Sequence, residues 1–238
     1  MSNIKADFSI DIIKTADGSP TLSLSGGEKM HSLDGAFSET QYIYGSTIKE
    51  VLSLPEQHIL SLGLGLGYNE ILSVALLLKS HKKNYRITSF EIVDELRSSF
   101  YNWAISYSST ELDSCYSSIL DLIASEYDLN PILLKEHLKT DLLEQKIQLL
   151  GPLPSKNPND FYYNAILYDA FSNHTDPELW SVEHFKDFFE TYADPTVCFF
   201  STYAATGNLK RALVENGFTV NKRKGFGQKR ESTFAFRK

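Results

Sequence analysis

Apolar and polar residues alternate with period two over residues 8–13 (FSIDII) and 21–25 (TLSLS), and Ala16-Asp17-Gly18-Ser19-Pro20 lies between them. This pattern predicts a β-hairpin at the front of the chain. Residues 30–44 are mixed and read as an ordered loop running into a helix. HILSL (58–62) is a short buried strand, Asn69 to Lys79 an apolar helix, and RITSFEI (86–92) a second buried strand. Between 94 and 145, apolar residues recur at three- and four-residue spacing in three runs. The spacing predicts three helices packed as an insertion. GPLPSKNPND (151–160) is a polar, proline-rich loop.

Beyond that loop the regular alternation of elements resumes. Strand 164–168 ends at Asp169, one helix spans about 177–192, and strand 196–202 precedes helix 207–216. Strands 218–223 and 232–237 close the chain around a Gly225-Phe226-Gly227 turn. Such alternation implies a mostly parallel sheet with right-handed crossovers. The last pair, joined by a short turn, must be antiparallel. That combination is the organisation of class I methyltransferases rather than of nicotinamide dehydrogenases.

Composition narrows the class. A chain of 238 residues suits a single α/β domain, with 1–50 as an N-terminal hairpin and loop extension and 94–145 as an insertion. Its two cysteines, Cys115 and Cys198, lie far apart, so neither a zinc site nor a disulfide framework is expected. No apolar run approaches the roughly 20 residues of a membrane span. Asp7 and Asp11 fall where a signal peptide would have its apolar core, so the cytoplasm is expected. The net charge of −7 is unevenly spread. From Lys210 to Lys238, nine basic side chains oppose two acids, a net +7; residues 1–209 hold 14 basic and 28 acidic ones, a net −14. One cationic face for a polyanion is one reading, and a solvated strand and helix is the other.

The strongest chemical signal is Gly63-Leu64-Gly65-Leu66-Gly67 at the end of the first core strand. Glycines there allow a tight turn and close approach of a ligand to the backbone. Dinucleotide sites usually have their third glycine one residue later, where this chain has Tyr68. The spacing therefore favours a nucleoside without a pyrophosphate, such as S-adenosylmethionine; a plain packing turn is the alternative. Glu91 ends the second strand, 24 residues beyond Gly67, where a carboxylate can accept both ribose hydroxyls or simply face solvent.

Asp169 follows the next core strand and should open onto the same crevice. A carboxylate there can accept an amine N–H, aim the nitrogen at a methyl carbon and stabilise the charge that grows on it. A helix N-cap is its bland alternative. Phe171 is placed to exclude water or stack on a base. Lys222, Arg223, Lys224, Lys229 and Arg230 surround a flexible aromatic turn, a composition suited to phosphate contacts and base stacking. The six histidines form no metal pattern, so no metal is expected. His174, close to Asp169 in sequence, reads as a surface-loop residue.

Several stretches together resemble the methyltransferase part of the MnmC family of tRNA 5-methylaminomethyl-2-thiouridine biosynthesis proteins. They are His31-Ser32, Gly35-Ala36 and Glu39; Leu62–Asn69; Ser89-Phe90-Glu91; Asp169-Ala170-Phe171; Asp176–Trp180; Thr202-Tyr203; Arg211-Ala212-Leu213; Gly217-Phe218; and above all KRKGFGQKRE (222–231). The resemblance implies a class I, Rossmann-like seven-stranded sheet with an antiparallel last strand. It implies an N-methyltransferase that uses S-adenosylmethionine on the aminomethyl group of the wobble uridine in tRNA. By position, Gly63, Gly65, Gly67 and Glu91 would hold the cofactor, Glu39 would border its methionine end, and Asp169 would face the amine.

Three departures accompany the likeness. The length leaves no room for the FAD-dependent oxidase of bifunctional members, so no FAD is expected. Ser61 replaces an acid common in class I enzymes. Gly151-Pro152 replaces a Gly-Asp, and Pro152 offers neither carboxylate nor N–H. Two other functions fit the same residues: methylation of a small-molecule or protein amine, and nucleoside binding without turnover.

Overall fold

The computed structural model describes residues 10–24, 29–106 and 110–238. The front hairpin is β1 (Ile10–Lys14) and β2 (Pro20–Leu24), paired antiparallel. The predicted ends at residues 8, 9 and 25 lie outside the described residues. Asp17, in the connecting turn, fastens the hairpin to the next helix, α1 (Ala36–Ile43). Its Oδ1 accepts from the Ser19 N–H at 3.0 Å and the Thr15 hydroxyl at 2.8 Å. Its Oδ2 accepts from the Ser38 N–H at 2.9 Å and the Ser38 hydroxyl at 2.7 Å, so it satisfies a donor in the first turn of α1.

Burial alone would raise the Asp17 carboxyl, but the bonds from Ser19, Ser38 and Thr15 outweigh it and bring it down to about 2. A depressed carboxylate contributes stability above its ordinary value of 3.8 and loses it as pH falls toward 2. Asp17→Ala is therefore expected to lower unfolding free energy by about 1 kcal/mol at neutral pH. The urea midpoints of variant and wild type should converge below about pH 4. A gap that stays constant with pH would rule out the charge as its source.

The main sheet comprises β3 (Gln57–Leu62), β4 (Tyr85–Phe90), β5 (Ile147–Leu150), β6 (Ala165–Tyr168), β7 (Cys198–Thr202), β8 (Thr219–Lys224) and β9 (Glu231–Arg237). Their spatial order is β5-β4-β3-β6-β7-β9-β8. Strands β5, β4, β3, β6 and β7 are parallel, and β9 runs antiparallel between β7 and β8, as the closing hairpin requires. The pattern assigned no element to Ile147–Leu150. That edge strand has four residues and only Ile147 is fully buried, so it carries neither a buried run nor an alternation. It exists because its backbone pairs with β4.

On one face lie α2 (Gly45–Val51), α3 (Tyr68–Lys79) and the insertion, which is α4 (Asp94–Ile105), α5 (Glu111–Glu126) and α6 (Pro131–Leu143). Ten consecutive residues of α3, Tyr68 to Leu77, are buried, because the sheet covers one side and the insertion the other. The opposite face holds α7 (Val182–Tyr192) and α8 (Gly207–Glu215) over an aromatic core that includes Tyr168, Phe185, Phe189 and Phe200. The single helix expected over 177–192 is two elements: a 3-10 turn, Pro177–Trp180, and then α7. Ser181 breaks it with ψ 158°, and its hydroxyl caps α7 by accepting the His184 N–H at 3.1 Å.

Candidate active site

The carboxyl ends of β3, β4 and β6 open onto one cavity of about 450 Å3, the place where ligands bind in open α/β sheets. At the end of β3 the chain turns through Gly63, Gly65 and Gly67, with φ of 93°, 50° and 72°. The Gly63 N–H donates to the Phe90 carbonyl at 2.9 Å, and a Cβ on Gly63 would sit 2.4 Å from the Asp169 carbonyl oxygen. The two strand ends can approach this closely only because Gly63 has no side chain.

Gly65 lines the cavity, and its N–H donates to Glu91 Oε2 at 3.0 Å. Glu91 Oε1 accepts the Val93 N–H at 2.8 Å, so both ends of this buried carboxylate are anchored beside the glycine turn. Gly67 differs from the expectation. It is not on the cavity wall; it caps α3 and faces the ring of Phe100, which a Cβ would meet at 2.1 Å. Its lack of a side chain serves packing.

Asp169 lines the cavity beside this turn, at the end of β6. No helix begins between Asp169 and Asp176, so Asp169 is not an N-cap. The hydroxyl of Tyr44, a fully buried residue between α1 and α2, donates to Asp169 Oδ1 at 2.7 Å. Burial raises the Asp169 carboxyl to about 7; the Tyr44 bond and the charge of Lys229 oppose that rise, while Glu39 adds to it.

Glu39 is buried, with Oε2 accepting the Ser32 N–H at 2.6 Å and Oε1 paired with Lys229 Nζ at 2.8 Å. Lys229 also lies 4.2 Å from the centroid of the Tyr203 ring. His31, on the same wall, is driven down to about 4 by burial, against the pull of Glu39, and so is a neutral imidazole at pH 7. The cavity thus has an apolar side, with Leu62, Phe90, Ile92, Pro152 and Leu153, and a charged end with Asp169, Glu39 and Lys229.

Phe171 lies on the wall, its carbonyl oxygen accepting from Trp180 Nε1 at 2.7 Å. His174 is exposed and off the wall. The basic group expected to meet phosphate divides in two. Lys222, Lys224 and Arg230 are exposed. Arg223 instead turns inward, donating to Ser46 Oγ at 2.7 Å and the Ile43 carbonyl at 3.0 Å, with its guanidinium 4.6 Å from the Tyr42 ring centroid. Lys229 is exposed as well, but its ammonium pairs with buried Glu39 on the cavity wall, and the half-buried Phe226 packs against the core and Tyr42. Their partners lie on the N-terminal helices, which no local pattern near residue 225 reveals. The residues that sequence reasoning missed are Tyr44, Tyr203 and Leu153, whose roles depend on tertiary approach. Of the missed wall residues, His31 and Tyr203 had a signal, as parts of the His31-Ser32 and Thr202-Tyr203 motifs.

The model of a family described as S-adenosyl-L-methionine-dependent methyltransferase matches residues 134–238. An uncharacterised protein of Methanocaldococcus jannaschii is 28% identical over 227 residues, 95% of this chain and 59% of its own length. The tRNA 5-methylaminomethyl-2-thiouridine biosynthesis bifunctional protein MnmC of Pseudoalteromonas atlantica is 25% identical over 240 residues, 93% of this chain and 32% of its own. The chain therefore spans less than two thirds of either relative. Among solved structures, MNMC2 from Aquifex aeolicus superposes with a TM-score of 0.66 at 24% identity, covering 97% of this chain and 71% of that one. Spermidine synthase from Thermotoga maritima gives 0.55 at 14%, covering 100% and 70%. These two likenesses are of fold.

Proposed function

We propose that this chain, an S-adenosylmethionine-dependent methyltransferase by fold and related to the MnmC methyltransferase domain, methylates a primary amine: the 5-aminomethyl group of the modified wobble uridine in tRNA. The observation that carries the reading is Asp169, a carboxylate held at the end of β6 and facing the same cavity as the glycine turn and Glu91.

The cavity residues suit the cofactor. Gly63 and Gly65 line the cavity with backbone alone, Glu91 on the same wall would accept ribose hydroxyls, and Phe90, Pro152 and Leu153 offer an apolar bed for a purine. Glu39 and Lys229 offer opposite charges to the ammonium and carboxylate of an amino-acid tail. S-adenosylmethionine, when bound, supplies an electrophilic methyl group on a sulfonium.

The chain's own residues then have three tasks. Asp169 accepts an amine N–H, which orients the nitrogen lone pair and offsets the charge that builds as the new bond forms. Phe171 and Tyr203 wall the acceptor side against water. Lys222, Lys224 and Arg230, exposed on the closing hairpin whose Lys229 reaches the cavity, are the cations available for tRNA phosphates.

The test is nucleoside analysis of tRNA carrying 5-aminomethyl-2-thiouridine after incubation with the protein and methyl-labelled donor. Label is expected in 5-methylaminomethyl-2-thiouridine. Joint replacement of Lys222, Lys224 and Arg230 by Ala should raise KM for tRNA and reduce the salt slope by up to about three. Donor binding without label in tRNA would overturn the substrate, and label in a protein or small-molecule fraction would identify the other amine class.

A further inference from the structure

Tyr44 occupies a junction that fixes it from both sides. Its backbone ends α1 and begins α2, and its side chain is 1% exposed against the end of β6. The hydroxyl lies 2.7 Å from Asp169 Oδ1 and 3.4 Å from the Tyr168 carbonyl, so both acceptors within reach belong to the end of β6. A phenol buried this deeply holds its proton, since burial, the Asp169 charge and the bond to Asp169 all push its ionisation well above the ordinary value. It is therefore a constant donor. A Phe would fill the same volume without the cost of desolvating a hydroxyl, so the polar atom needs a reason. The backbone of Asp169 is already fixed, by its N–H to the Leu62 carbonyl at 2.8 Å and by the close contact at Gly63. What remains to be set is the rotation of the carboxylate.

Resting on the amine-methyltransferase reading above, we propose that Tyr44 is a positioning residue for methyl transfer. Its hydroxyl holds Asp169 Oδ1 so that Oδ2 is presented to the acceptor nitrogen. The same bond favours the ionised carboxylate and opposes its desolvation. Other groups acting on Asp169 are Glu39 from α1 and Glu70 from α3, which disfavour ionisation, and Lys229 from the closing hairpin, which favours it. Tyr203, after β7, adds to the rise of the Tyr44 phenol. Tyr44 is thus the hydrogen-bond donor in a group whose other members act by charge.

The test is Tyr44→Phe, read in two ways. In steady-state transfer to tRNA bearing 5-aminomethyl-2-thiouridine, kcat should fall about 10- to 100-fold with KM for the donor changed less than about twofold. The acid limb of the rate profile should also move up by about one pH unit. In the ligand-free protein, carbon-13 NMR of the Asp169 carboxyl, assigned with Asp169→Asn, should titrate correspondingly higher. A merely structural hydroxyl would lower the melting temperature and leave both titrations in place, and that result overturns the proposal. If the wild type were inert toward this tRNA, the substrate reading would fail on its own, because the NMR arm tests the Tyr44–Asp169 link without any substrate.

Discussion

Asp169→Asn is expected to lower methyl transfer at least about 10³-fold while donor affinity by calorimetry stays within about threefold. Asn preserves the shape of the side chain and can still accept from the Tyr44 hydroxyl, so the local structure should persist. It removes the negative charge that stabilises the nitrogen as it becomes positive. The wild-type rate should rise with pH through about 7, where the Asp169 carboxyl ionises, and the residual rate of the variant should lose that limb.

Stability should respond in the opposite sense. A carboxyl whose folded value is raised above its ordinary 3.8 opposes folding at every pH where the unfolded chain would ionise it. Asp169→Asn should therefore melt higher than wild type at pH 8, the signature of a site that sacrifices stability for chemistry. A variant that keeps near-full activity, or one that melts lower and binds no donor, would remove Asp169 from the acceptor role.

Local chemistry decided which parts of this site were legible in the sequence. Strand β3, the glycine turn and α3 form a contiguous signal in which a buried run meets glycines and then a helix. Glu91 and Asp169 follow because each immediately succeeds a strand, and strand ends in such sheets share a crevice. Contacts between distant parts of the chain left no trace. Arg223 reads as a solvent-facing cation because Ser46 and Ile43, which turn it inward, are 177 and 180 residues away, and the pairing of the exposed Lys229 with Glu39 spans 190. Tyr44 meets Asp169 across 125 residues. Strand β5 escaped notice for a different reason: one buried and three half-covered residues at a sheet edge have no periodicity to detect. The break at Ser181 was in principle readable, since a serine before Val182-Glu183-His184 is a good N-cap, but the apolar spacing across it masked the interruption.

The three glycines of the turn look equivalent in sequence and are not equivalent in space, which gives the second large expected effect. Gly63→Ala places a Cβ against a backbone carbonyl, that of Asp169, at a positive φ. Neither strand end can yield cheaply, so β3 and β6 must separate at their tips. The expected cost is about 2–4 kcal/mol of stability together with loss of donor binding and turnover, because Asp169 and the turn are displaced at once. Gly67→Ala drives its Cβ into Phe100, a fully buried ring packed edge-on to Tyr116 and against Trp103. Its stability cost should be similar, yet the donor affinity of the folded fraction should remain within about fivefold, since the strain falls away from the cavity wall. Urea unfolding and calorimetry separate the two. Phe100→Leu should recover part of the Gly67→Ala loss and none of the Gly63→Ala loss, a coupling that a double-mutant cycle measures directly. If Gly67→Ala abolished donor binding at unchanged stability, the third glycine would be a ligand contact after all. If Gly63→Ala bound and turned over normally, the close meeting of β3 and β6 would not be what shapes the cavity.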